Sequence, residues 1–88
     1  MGEQARNELK SIIDGLSAKD REFISVLPEG DIVRLHRTLG RYIRNQFRSN
    51  ELPALVRWSL AQLPEHPHFD DLSWPVLVEI WKALRPQG

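Results

Sequence analysis

The sequence predicts an all-α fold, a compact bundle of four to five short helices formed by a single domain over residues 1–88. Three observations lead to this prediction. Apolar residues recur at intervals of three and four, prolines and glycines divide the chain into short segments, and no segment alternates with period two as a strand would. The sequence has no cysteine, which excludes disulfides and thiolate zinc sites, so helix packing has to close the core.

Two short helices are predicted in the first third of the chain. The first covers about residues 4–15 and ends near Gly15, and its apolar residues at helical spacing are Leu9, Ile12, Ile13 and Leu16. Ser17 is predicted to cap the second helix. Pro28 is predicted to stop it, because proline lacks the N–H group and disfavours helix in the residue before it.

The longest helix is predicted over residues 32–48, with Asp31 as its N-cap. A fourth helix is predicted from about Leu52 to Leu63, where Pro64 blocks its continuation.

The last helix is predicted to end near Leu84 and to begin after one of three capping residues, Asp70, Asp71 or Ser73. Its apolar residues cover about 240° of the helix circumference at roughly 100° per residue. A helix that is apolar most of the way round lies at the centre of a bundle or in an interface such as that of a homodimer. We predict the central position, which makes Trp81 a core residue.

Charge is unevenly distributed along the sequence although the net charge is zero. Residues 1–31 hold seven acids and four bases, residues 32–58 hold six bases and only Glu51, and residues 59–88 hold four acids and two bases. Five of the central bases form an arginine stripe at spacings of three and four, namely Arg34, Arg37, Arg41, Arg44 and Arg48. On one continuous helix these side chains would share an arc of roughly 80°.

The arginine stripe requires compensating charge, because neighbouring like charges at this spacing cost about 0.2–0.5 kcal/mol per pair. Three sources fit the sequence. Acids of the flanking segments can fold back onto the stripe, nucleic-acid phosphates can bind it, or an acidic surface of a partner protein can cover it. Arginine suits bidentate recognition of both carboxylate and phosphate, so residue type does not choose between the last two.

Residues 35–45 form a pattern that resembles a known family. Leu-His-x-x-Leu-Gly-x-x-Ile-Arg-Asn over these residues, followed by His-x-Asp-Asp-x-Ser over residues 68–73 and an apolar helix with Trp81, is similar to a family of small bacterial domains of unknown function. The resemblance covers roughly residues 25–84. It implies a bacterial or phage origin and an all-helical fold, and it implies no activity or site residue.

The two matched segments are predicted to meet in a polar clasp. His36, Gly40 and Arg44 are four residues apart, so they line one edge of the predicted helix 32–48. A glycine inside a helix costs about 1 kcal/mol against alanine, which indicates that another group approaches closely at Gly40. Asp70 or Asp71 is expected to accept hydrogen bonds from His36 or Arg44 and to hold two helices together.

No motif in the sequence predicts catalysis, a cofactor or a metal site. A nucleophile elbow, a phosphate-binding glycine loop and a zincin helix are all missing. His66 and His68 with Asp70 and Asp71 offer metal-ligand chemistry, but they lie in one short loop stiffened by Pro67, and we expect no metal there. No apolar run approaches the ~20 residues of a membrane span and the N-terminus lacks a signal-peptide pattern, so we expect a cytoplasmic protein that is not an enzyme.

The predicted function is binding of a macromolecule, with a protein as the first choice of partner, as an inhibitor, an immunity or antitoxin-like factor or a regulatory subunit. Arg34, Arg37, Arg41 and Arg48 are the predicted polar contacts. Trp58 points away from the apolar face of the fourth helix, so either a second helix covers it as part of the core or it is an exposed anchor, and we take it as the predicted apolar anchor. The alternative is a nucleic-acid-binding regulator that places the arginine stripe on phosphates.

Overall fold

Helices form all the regular structure in the part of the chain that the computed structural model describes, which is residues 1–63, 65 and 68–86. In chain order they are α1 (Glu3–Asp14), α2 (Ala18–Ser25), a first 3₁₀ helix (Glu29–Leu35), α3 (Leu39–Arg48), α4 (Pro53–Gln62), a second 3₁₀ helix (Phe69–Leu72) and α5 (Ser73–Leu84). These residues include no strand, which confirms the all-α prediction. None of the described helices is long and apolar enough to cross a membrane.

α5 is the central helix of the bundle, as its wide apolar surface predicts. It packs against the other four α-helices and against both 3₁₀ helices. Val76, Leu77 and Ile80 are fully buried, and Trp81 is nearly so. The indole Nε1 of Trp81 donates a buried hydrogen bond of 2.7 Å to the carbonyl oxygen of Leu27, just after α2. This bond satisfies the one polar atom of the ring and fixes α2 to the core.

Local capping chemistry holds α1 and α2 together at their shared corner. Ser17 caps α2 as predicted, its Oγ accepting a 3.1 Å hydrogen bond from the backbone N–H of Asp20. Arg21 then reaches back to the end of α1, where its Nε donates to the carbonyl of Ile13 and its Nη2 to that of Asp14. A cation at a helix C-terminus complements the helix dipole. We call the two helices joined in this way the α1–α2 unit.

The prediction of a continuous helix over residues 32–48 is wrong. The segment forms the first 3₁₀ helix, a turn over residues 36–38 and then α3, and Asp31 lies inside the 3₁₀ helix instead of capping an α-helix. The Thr38 hydroxyl donates to the carbonyl of Leu35, and the Arg44 guanidinium donates to the carbonyl of His36. Side chains thus pair carbonyls that a continuous helix would pair internally. The spacing of apolar residues cannot reveal that side-chain hydrogen bonds replace helical ones here, because the spacing is the same with or without the turn.

Glu8 of α1 caps the beginning of α4. Its two carboxylate oxygens accept hydrogen bonds from the backbone N–H groups of Leu55 (2.9 Å) and Ala54 (3.2 Å). The local N-cap position, Leu52, has no side chain that can do this. A carboxylate at a helix N-terminus satisfies free donors and complements the helix dipole. It also fixes α1 against α4 across 46 residues of sequence.

Candidate functional site

Arg44 is an interior residue of the fold, because its side chain is only 11% exposed. Its Nη1 donates to the hydroxyl of Ser73 at 3.0 Å, and its Nη2 donates to the carbonyl of His36 at 3.2 Å. Nη1 also lies 3.4 Å from His36 Nδ1, and Nε lies 3.8 Å from an Asp70 carboxylate oxygen. Arg44 therefore links α3 to the turn before it and to the start of α5, which is a structural task.

Asp71 is not part of this contact, so its predicted place in the clasp is wrong. Its carboxylate accepts a hydrogen bond from the backbone N–H of His68 and caps the second 3₁₀ helix, of which it is itself a member. Asp70 is the acid that approaches Arg44, but it is 69% exposed, so solvent screens the pair. Ser73, which the sequence suggested only as a helix cap, is fully buried and supplies the short contact.

Gly40 makes room for the Arg44 guanidinium at the start of α3. A Cβ atom added at Gly40 would lie 3.0 Å from Arg44 Nη1, 3.3 Å from the carbonyl oxygen of Leu35 and 3.4 Å from Leu77 Cδ1. All three distances are at or below ordinary van der Waals contact. The close approach expected at Gly40 therefore involves a backbone carbonyl and the side chain of Arg44, which folds back along its own helix.

A groove of about 580 Å³ runs between the α1–α2 unit and α3. Its floor consists of the buried side chains of Ile12, Ile24 and Leu35. The α1–α2 unit supplies one wall, formed by Gly15, Leu16, Asp20 and Phe23. α3 and the turn before it supply the other wall, formed by Thr38, Leu39 and Tyr42. Phe23 and Tyr42 both line the groove as partly exposed rings, 47% and 49% exposed. An open apolar cavity with aromatic walls is a typical binding surface.

Three members of the arginine stripe are sequence neighbours of groove-lining residues, and we call Arg34, Arg37 and Arg41 the groove arginines. Each directly precedes a residue that lines the groove, namely Leu35, Thr38 and Tyr42. All three are exposed. Among the described residues none of them has a carboxylate within 4.0 Å, whereas Arg44 has Asp70. Internal neutralisation by the flanking acids therefore accounts for Arg44 and leaves the groove arginines without acid partners in the described part of the chain.

The other two predicted partner-binding residues lie elsewhere on the molecule. Arg48 is exposed, donates to the Asn45 side chain at 3.3 Å and stacks 4.6 Å above the ring of Phe69. Trp58 is half-buried and packs against the core. Of the two alternatives for Trp58, this partial burial agrees with a side chain that the fold covers in part and not with a fully exposed anchor.

The sequence does not predict that the aromatic rings of the groove belong to a binding surface. Phe23 and Tyr42 both fall on apolar faces of their helices, so periodicity assigns them to the core. In the structure they lie at the edges of those faces, where the gap between the α1–α2 unit and α3 leaves them half-exposed. No local signal distinguishes an edge residue from a core residue, because the gap depends on tertiary packing.

Among the described residues, none from the loop that contains His66 and His68 lines the groove. His66 and Pro67 lie outside the described part of the chain, and His68 is exposed at the start of the second 3₁₀ helix. Within residues 1–63, 65 and 68–86, no three His, Asp or Glu side chains come together as a metal site would require.

Comparison with known proteins adds no relative to this description. No protein-family model, no curated protein and no solved structure matches the chain. The resemblance of residues 25–84 to a family of bacterial domains therefore stays a prediction, and the function has to be argued from the groove and the groove arginines.

Proposed function

We propose that this protein is a non-enzymatic cytoplasmic binding protein that holds an acidic, amphipathic helix of a partner protein in the groove between the α1–α2 unit and α3. The proposal rests on an apolar groove and on the three exposed groove arginines, each next in sequence to a groove-lining residue and without an acid partner in the described residues. A helix with an apolar face and an acidic edge complements both features.

The apolar part of the groove suits the side chains on one face of a helix. Helix-in-groove recognition inserts residues at positions i, i+3 or i+4, and i+7 into a hydrophobic cleft. Leu16 and Leu39 supply aliphatic walls, and the rings of Phe23 and Tyr42 supply aromatic contact area at low conformational cost. Covering these rings would remove apolar surface from water, which is the main favourable term in protein association.

Charge complementarity fixes which partner fits the groove. Arg34, Arg37 and Arg41 belong to the first 3₁₀ helix, the turn before α3 and α3, the segment that also carries Thr38, Leu39 and Tyr42 of the groove, and a guanidinium can bind a carboxylate through two parallel hydrogen bonds. The opposite wall carries Asp20. A partner helix with acids along one edge can therefore lie in one orientation only, with that edge toward α3.

The structure gives less support to phosphate binding by a recognition helix. The arginine stripe is divided between the first 3₁₀ helix, the turn over residues 36–38 and α3, so it does not follow one helix face. Arg44 is committed to interior contacts and Arg48 stacks on Phe69. The three remaining arginines are sequence neighbours of residues that line an apolar groove, and an apolar groove suits a protein partner better than a nucleic-acid backbone.

An inhibitor, an immunity or antitoxin-like factor and a regulatory subunit share this mode of action. Each covers a surface segment of another protein and thereby blocks or alters its activity. The groove would do so by taking one helix of the partner out of solvent. No chemistry at the groove is required, and the proposal assigns none.

A displayed library of amphipathic helices, with the positions at both edges of the apolar face randomised, tests the proposal. Selection on the parent protein is expected to enrich clones with Asp or Glu along one edge. Phe23→Ser is expected to weaken the recovered clones at least tenfold, because it removes one wall of the groove. The double replacement Arg37→Gln and Arg41→Gln is expected to remove their preference for acids.

Leu60→Ser is the matched control, since Leu60 of α4 is as exposed as Phe23 and lies outside the groove. It should leave the recovered clones unaffected. Clones without acidic enrichment, or clones that bind the Phe23→Ser and Leu60→Ser variants equally well, would contradict the proposal. Sub-micromolar binding of mixed-sequence DNA near physiological salt would favour the nucleic-acid alternative instead.

A further inference from the structure

A second cavity, of about 300 Å³, lies at the N-terminal end of α3. It is lined by His36, Arg37, Arg41 and Arg44, and we call it the arginine cup. His36 and Arg37 come from the turn before α3, and the two other arginines come from the first and second turns of the helix. Its lining is entirely basic, whereas the groove described above is lined mainly by apolar side chains.

Arg44 is held in a fixed position at the cup. Its hydrogen bonds to Ser73 and to the carbonyl of His36 hold the guanidinium, and Gly40 leaves space for it. The nearest acid is Asp70, 3.8 Å from Arg44 Nε, mostly exposed and not part of the cup lining. Arg37 and Arg41 have no acid within 4.0 Å in the described part of the chain. The cup therefore combines one fixed guanidinium with two that remain available to a ligand.

The backbone around the cup adds further donors. Thr38, the N-cap residue of α3, does not cap the helix with its side chain, since its hydroxyl donates to the carbonyl of Leu35. Leu39, Gly40 and Arg41 form the first turn of α3, where backbone N–H groups precede the helix's own i→i−4 hydrogen bonds. Free N–H groups and the positive end of the helix dipole favour an anion at this position.

We propose that the arginine cup binds the phosphate group of a small phosphomonoester. Phosphate carries close to two negative charges near neutral pH and three strong acceptor oxygens, which matches several converging guanidinium groups better than a singly charged carboxylate does. The cavity is larger than a phosphate ion and lies at the small end of the range for ligand pockets, so it has room for part of the attached alcohol. This site goes beyond the proposed helix partner and does not rest on it, but Arg37 and Arg41 belong to both surfaces, so a bound phosphate and an acidic helix would compete for them.

Titration of the ¹⁵N-labelled protein with inorganic phosphate and with O-phospho-L-serine tests the proposal, with sodium acetate and sodium chloride as controls at matched ionic strength. Both phosphates are expected to give saturable shifts of the amide signals of Leu39, Gly40 and Arg41, and the phosphomonoester is expected to bind more tightly than the free ion. Tighter binding of inorganic phosphate would overturn the choice of a phosphomonoester. Shifts that rise linearly without saturation, or that acetate reproduces, would overturn the site itself.

Two arginine variants form the matched pair for this site. Arg41→Gln removes a cup arginine and is expected to weaken phosphate binding at least tenfold, whereas Arg34→Gln removes an exposed arginine outside the cup and is expected to leave it unchanged. Equal effects of the two variants would mean that phosphate is attracted nonspecifically by positive charge, and this would contradict the proposal. Phe23→Ser should retain phosphate binding while losing the displayed helices, so failure of either proposal can be recognised separately.

Discussion

Replacing Trp81 with alanine is expected to lower the free energy of unfolding by about 3–5 kcal/mol, the usual cost of removing a buried aromatic ring. Trp81 is 4% exposed in the central helix, and its indole N–H is bonded to the carbonyl of Leu27. The replacement therefore leaves both a cavity and a buried carbonyl without its partner. Urea unfolding followed by far-ultraviolet circular dichroism measures the loss.

Two further tryptophan variants separate the contributions. Trp74→Ala changes the same residue type in the same helix at a side chain that is 40% exposed, and it should cost less than half as much. Trp81→Phe keeps most of the ring and removes the bond to Leu27, so its cost should be about 1–3 kcal/mol. If Trp81→Ala unfolds at the same urea concentration as the parent, α5 is not the centre of the core.

Replacing Arg44 with methionine is expected to lower the free energy of unfolding by about 2–4 kcal/mol, because hydrogen bonds to charged groups contribute about 1.5–3 kcal/mol each. The variant loses the bonds to the carbonyl of His36 and to the hydroxyl of Ser73. Methionine has a similar length and keeps part of the packing, so the loss reports mainly on the polar contacts. Thermal and urea unfolding both measure it.

Arg48→Met is the control for this variant, since Arg48 lies one turn further along α3 and is exposed. It should change the free energy of unfolding by less than about 1 kcal/mol. Asp70→Asn should also have a small effect, because Asp70 is 69% exposed. Equal losses for Arg44→Met and Arg48→Met would contradict an interior role for Arg44.

Most of the helical architecture can be predicted from the sequence because local signals determine it. Ser17, Pro28 and Pro53 act within a few residues of the helix ends that they define, and α1, α2, α4 and α5 lie close to their predicted positions. Residues 32–48 are different, because their apolar spacing is compatible with both one helix and two. The choice between them involves Arg44 and Ser73, which are 29 residues apart in sequence.

The candidate site is less predictable for the same physical reason. The sequence identifies Arg34, Arg37 and Arg41 as a charged set, since their charge and spacing are local properties. It cannot show that Arg44 is withdrawn into the fold, because that depends on how α3 meets the start of α5. Nor can it show that Phe23 is left half-exposed, because that depends on the gap between the α1–α2 unit and α3. The cap that Glu8 provides for α4 is likewise a contact between distant segments.

The stability of the double variant Arg37→Gln and Arg41→Gln tests most directly whether the groove arginines carry charge that the fold itself does not use. Both side chains are exposed and have no acid within 4.0 Å in the described residues. Urea unfolding at low salt should therefore give a free energy of unfolding equal to that of the parent, or higher by up to about 0.5 kcal/mol through relief of like-charge repulsion. A loss of more than about 1 kcal/mol would show that these arginines are neutralised within the fold, and it would contradict their assignment to a partner.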